Sequence, residues 1–310
     1  MAQQLDLAGN EWTFDLLRDI DTQLHDIAAN QYKLDTFPNQ IEVISAEQML
    51  DAYSSGAMPV MYPHWSYGKS FSVNEHLYET GQQNLAYEVV INSNPCISYL
   101  MEENTMTMQT LVIAHACYGH NSFFKGNYLF RQWTQADAII DYLVFAKKYV
   151  MECEEKYGID AVEEVLDAAH AIQHFGVDRY KRRFESEASL KVKRDDLAEE
   201  KRRQYDEIMA KVSPVEAAQI ERRQDNYPRE PVENILYFIE KEAPKLRDWE
   251  RELVRIVRKM SQYFYPQGQT KVMNEGWASF WHYTLLNTLY DEKLVSDGFM
   301  LEFLTSHTTV

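Results

Sequence analysis

Residues 271–283 read KVMNEGWASFWHY, and their periodicity decides the fold class. Glu275 and His282 are seven apart, which places them within about 20° of each other on a helix. The rest of the segment is Trp, Phe, Met and Ala, so the spacing predicts a helix over about 272–290 with Glu275 and His282 sharing one partly buried side. Buried charge is costly unless it is paired or bound to a metal. Outward from this stretch, helical spacing recurs. Trp12, Leu16, Ile20, Leu24 and Ile27 mark an amphipathic helix over 11–32. Ser45 followed by Gln48 reads as a capping box. Further helices are expected from Thr105 into His115–His120, over 134–156, over 160–175 before Gly176, and over 232–263, ending near Tyr265-Pro266-Gln267-Gly268. Only 86–92 (AYEVVIN), closed by Asn92-Ser93-Asn94-Pro95, and Ile97–Met101 read as strands. Gly56–Ser72, rich in aromatics, Pro and Gly, reads as an ordered irregular loop.

Composition bounds the function. The 310 residues are 45% hydrophobic and carry a formal net charge of -17, which suits a globular chain and argues against a phosphate-neutralising nucleic-acid binder. No apolar run approaches the roughly 18–20 residues of a membrane span, and the first residues do not form a secretory signal. Cys96, Cys117 and Cys153 are too few and too scattered for a disulfide framework or a thiolate zinc site. A cytoplasmic protein is expected. Residues 181–212 are densely charged with alternating signs, the pattern of a solvated helix, so a projecting helical arm is expected over 181–230.

Histidine spacing supplies the candidate chemistry. His170 and His174 are four apart and nearly eclipsed on a helix, the bidentate arrangement that helices offer a transition metal, with Glu163 and Asp167 continuing the same face. His115 and His120 are five apart, rotated by about 140° on a regular helix, and would converge only if the helix ends or bulges. Glu302 and His307 are a weaker pair, and His64, Trp65, Tyr67 and Lys69 line a pocket mouth or simply pack. Asp167-x-x-His170 only approximates the carboxylate-histidine motif of di-iron bundles. Nucleophile elbows and phosphate-cradling glycine loops do not occur.

Four segments, HACYGHNSFFKGNYLF (115–130), DAAHAIQHFGVDRY (167–180), KVMNEGWASFWHY (271–283) and DGFMLEFLTSH (297–307), resemble the SpoVR (stage V sporulation protein R) family. The resemblance implies a single 1–310 domain lacking the family's C-terminal part, a role in spore cortex, cell-envelope or stress physiology, and a link to a serine kinase system. Asn274-Glu275-Gly276-Trp277-Ala278 also resembles the N-E-G-x-A segment that carries the glutamate ligand of gluzincin metallopeptidases. In that pattern the residue after the first His is a glutamate base, whereas here Ala116 and Ala171 occupy the position. The base would have to come from Glu102, Glu103 or Glu163.

The expected protein is therefore mainly α with a small β-sheet, a zincin-like α+β core as its finer form, and a charged helical arm. Two functions follow. One is a hydrolase of peptide or amide bonds that uses zinc or another divalent transition metal on His170, His174, Glu275, His115 and His120, with Glu275, His282, Glu102 and Glu163 as catalytic candidates. The other is a non-enzymatic regulatory or scaffolding protein whose arm binds a protein partner.

Overall fold

The computed structural model describes residues 11–82, 87–178, 199, 202–203 and 233–307. The charged arm expected over 181–230 lies almost wholly outside the described residues. Helices dominate, with one three-stranded sheet, as the periodicities predict. Strands β1 (Asn39–Ile44), β2 (Glu88–Ile91) and β3 (Cys96–Met101) lie in the order β1-β3-β2. β3 pairs parallel with β1 and antiparallel with β2. The edge strand β1 was not anticipated, because its side chains are only partly buried and its apolar pattern is correspondingly weak.

Helix starts follow their capping chemistry. Thr13 accepts from the Leu16 N–H at the head of α1 (Phe14–Asp26), and Ser45 and Gln48 make both bonds of the expected capping box at α2 (Ala46–Ser54). The expected loop over 56–72 is corrected: it becomes helix α3 (Trp65–Glu79) at Trp65. There His64 takes the N-cap position and accepts from the Ser66 N–H. α4 (Met106–Ile113), capped by Thr105, runs into a π-helical turn, Ala114–His120, and on into α5 (Asn121–Gly126). Then come α6 (Tyr128–Trp133), α7 (Ile139–Tyr157), α8 (Ile159–Ala171) and a short 3-10 turn, Gln173–Phe175. After the undescribed segment follow α9 (Ile235–Glu242), α10 (Asp248–Asp291) and α11 (Asp297–Ser306).

The expected break near Tyr265–Gly268 is also corrected. α10 passes through Pro266 for 44 residues, about 66 Å at 1.5 Å per residue. An interior proline costs roughly 3 kcal/mol. Here Tyr263, Pro266 and Thr270 are buried together, and the Thr270 hydroxyl donates to the Pro266 carbonyl, so packing outweighs the loss. The helix serves two cores. Its first half, from Trp249 to Tyr263, packs with α7, α8 and α9. Its last turns, Leu285, Leu286 and Leu289, pack with α1, α4, the π turn and α11. Glu240, only 1% exposed, pins α9 to α10 through Arg255 and Arg258. Among the described residues no helix is long and apolar enough to cross a membrane.

Candidate metal centre

The π turn answers the spacing problem of His115 and His120. Its register is i→i+5, seen where the Asn121 N–H donates to the Ala116 carbonyl, so residues five apart lie one above the other. The two rings sit with centroids 4.6 Å apart. Gly119 lets this turn lie directly on α10: a Cβ there would fall 2.6 Å from Ala278 Cα and 2.8 Å from Ala278 Cβ. That close approach brings Glu275, three residues before Ala278, to the histidines.

Four donor atoms converge. His115 Nε2 lies 3.5 Å from Glu88 Oε1 and 3.5 Å from Glu275 Oε2. His120 Nε2 lies 3.7 Å and 3.6 Å from the same two oxygens. These separations exceed those of N–H···O hydrogen bonds, about 2.7–3.2 Å. They match instead the edges of a tetrahedron around a cation bound at about 2.0–2.1 Å, roughly 3.4 Å. Ligand atoms of Glu88, His115 and His120 all lie within 4.8 Å of one another. Glu275 is within reach of both rings but outside that mutual set.

The outward nitrogens are held. His120 Nδ1 donates to Asn274 Oδ1 at 2.9 Å, which leaves Nε2 facing the centre. His115 Nδ1 meets His282 Nδ1 at 2.8 Å. Burial, and then the charge of His115, hold His282 down at about 3, so it is neutral and one proton is shared between the two facing Nδ1 atoms. Burial pushes the Glu88 carboxyl up to about 7, with His115 opposing and Glu275 adding to the rise. For His115, burial lowers the pKa but Glu88 and Glu275 outweigh it and raise it. His120 is held at about 4 by burial and by His115. Glu275 is lowered by the neighbouring His115 imidazole. A neutral His120 thus turns a lone pair toward two carboxylates, an arrangement that a cation between them relieves. Two buried atoms at this centre, Glu88 Oε2 and His282 Nε2, have no hydrogen-bond partner among the described residues. The donor set, two imidazoles and two carboxylates, suits zinc or another divalent transition metal.

The remaining sequence candidates lie elsewhere. The expected joining of His170 and His174 to Glu275 is corrected: α8 ends at Ala171, so the two rings do not share a helix face. His170 Nε2 instead meets the Tyr62 hydroxyl at 2.6 Å. His170 and His174 line a cavity against Gln267–Gln269 of α10, about 9 Å before Glu275 along that helix. Glu102 and Glu103 are exposed beyond β3, and Glu163 neighbours Glu154 on the α7–α8 hairpin, so none of them stands at the centre. Glu302 accepts from Thr105 and Thr107 and ties α11 to the head of α4. The apolar residues expected to shield Glu275 do not: Val272, Met273 and Phe280 face solvent, and the Glu275 side chain is 52% exposed. Glu88 was missed. Its signal was a lone carboxylate inside the apolar run AYEVVIN, already read as a strand. The part of Asn274 as partner of His120 was missed as well.

Fold and centre together define a mainly helical protein with a His/carboxylate cluster on a π turn. The chain matches the model of the SpoVR like protein family over residues 11–310 and belongs to that family. It is 60% identical over 309 residues to the uncharacterized protein YcgB of Escherichia coli (strain K12), covering 97% of this chain and 59% of the relative. The chain thus spans about three-fifths of that relative's length. No solved structure matches it.

Proposed function

We propose that this SpoVR-family chain holds one divalent transition-metal ion, zinc being the simplest choice, on His115, His120 and Glu275, and hydrolyses a peptide or amide bond there. The observation that carries this reading is the convergence of two imidazole Nε2 atoms and two carboxylate oxygens at 3.5–3.7 Å. Glu275 occupies the place of the glutamate ligand in the N-E-G-x-A likeness. Glu88, supplied by a strand, stands where the alanines at 116 and 171 leave the helices without a base. A bound divalent cation supplies acidified water and a polarised carbonyl. The chain's own groups do the rest. Asn274 and His282 fix the ring orientations, Glu88 Oε2 is free to take and return a proton, and the exposed side of Glu275 leaves an approach from solvent. A cell-envelope peptide is the substrate class that agrees with the family's name.

Metal analysis of the purified protein tests this. About one equivalent of metal is expected, lost in Glu275→Ala and His120→Ala. Protein without stoichiometric metal, or variants that keep it, would contradict the proposal.

A further inference from the structure

A second group of side chains forms a hydrogen-bonded chain of different chemistry. Asp167 Oδ1 lies 3.1 Å from His64 Nε2 and accepts from Trp65 Nε1 at 2.8 Å. A carboxylate only accepts, so the proton of His64 sits on Nε2 and Nδ1 is the basic nitrogen. That nitrogen receives the Ser66 hydroxyl at 2.6 Å and the Ser66 backbone N–H at 3.3 Å. The His64 side chain is 1% exposed. The ring of His170 packs edge-on against it at 4.4 Å, and His170 is itself engaged by Tyr62. Ser66 opens into a cavity of about 920 Å³, a size that takes a drug-sized molecule. Met61, Phe175, Met260, Phe264 and Tyr265 line it together with Tyr67. Helix capping explains only the bond from the Ser66 N–H. It requires neither a buried imidazole, nor a carboxylate brought from α8 to the far nitrogen, nor a bond from the hydroxyl of a serine that lines a cavity.

We propose that Ser66, His64 and Asp167 form a metal-independent nucleophilic site for carboxylic esters with an apolar acyl group. Ser66 Oγ bonds to the ester carbonyl carbon while its proton passes to His64 Nδ1. The bond to the alcohol oxygen then breaks, and the alcohol leaves with that proton. Water attacks the acyl-serine, gives a proton to His64, and the acid departs as Ser66 recovers its hydrogen. Ester and water become acid and alcohol. Ser66 and His64 are the reacting pair; Asp167 is a positioning residue that sets the tautomer, the role of the carboxylate in serine-histidine-aspartate triads, here with the two ring nitrogens exchanged.

An alkyl fluorophosphonate, applied to the full chain after treatment with a chelator, tests the site without dependence on the metal centre. One phosphonyl group per chain is expected at Ser66 by peptide mass mapping, and none in Ser66→Ala. His64→Gln should slow labelling by about 10²–10⁴-fold. Asp167→Asn should slow it by at least about tenfold and shift its pH profile. p-Nitrophenyl butyrate should show a burst of one equivalent in the wild-type chain. If His64→Gln fails to fold, Asp167→Asn, at a half-exposed position, carries the comparison. Absence of label at Ser66, or folded variants that label at the wild-type rate, would overturn the proposal.

Discussion

The two histidine clusters lie against successive stretches of α10 and use their rings in opposite ways. Around His64 and His170, three ring nitrogens have a direct partner at 2.6–3.1 Å: the Ser66 and Tyr62 hydroxyls and Asp167. Around His115 and His120, the outer nitrogens are tied while the inner ones face carboxylates at 3.5–3.7 Å, too far for direct bonds. Helix geometry makes the difference. The i,i+4 spacing of His170 and His174 is favourable only on a continuous helix, and α8 stops between them. The i,i+5 spacing of His115 and His120 is unfavourable on an α-helix and favourable on a π turn. Counting histidines at helical spacing picks out His170 and His174. What each ring nitrogen faces picks out His115 and His120 instead.

Substitutions can break this contrast. The largest effect is expected from His115→Ala, which should abolish stoichiometric metal binding, whereas His170→Ala should leave it intact; metal content after gel filtration reads both. Gly119→Ala comes next. Its Cβ would press on Ala278 at 2.6 Å, so the π turn must move from α10. Overpacking of this kind costs about 1–3 kcal/mol, and a lower melting temperature with weaker metal retention is expected. Asn274→Ala frees the His120 ring and should lower metal affinity by about 10–100-fold in a competitive chelator titration.

The last effect concerns acid. Burial, with His64 beside it, holds His170 at about 4, below the ordinary histidine value of 6.5. Below pH 6.5 the unfolded chain therefore binds a proton that the folded chain refuses. Stability should fall as the pH drops from 6.5 toward 4, by up to about 1.4 kcal/mol per pH unit from this ring. Denaturant unfolding of His170→Gln should show a shallower loss over the same window.

Much of the fold was legible because it rests on local signals. The capping box at Ser45 and Gln48, the apolar stripe of α1 and the strand runs at β2 and β3 each declare themselves within a few residues. The continuity of α10 was not legible. Pro266 and Gly268 are genuine breakers, overruled by burial against residues distant in sequence. The start of α3 was hidden because its cap is a histidine. At the centre, Glu275, His115, His120 and His282 could be singled out, but their grouping depends on a π turn and on the Gly119–Ala278 contact, which no local pattern announces. Glu88 arrives from a strand, and its proximity to the histidines is a property of the tertiary fold alone.

The central claim is that His115, His120 and Glu275, faced by Glu88, hold one metal ion. Anomalous scattering at the zinc and iron edges from a crystal of the protein as purified tests it most directly. A single peak between the two Nε2 atoms and Glu275 is expected, with metal–ligand distances of about 2.0–2.2 Å. A peak at His170 and His174 instead, or none in protein that carries metal, would contradict it.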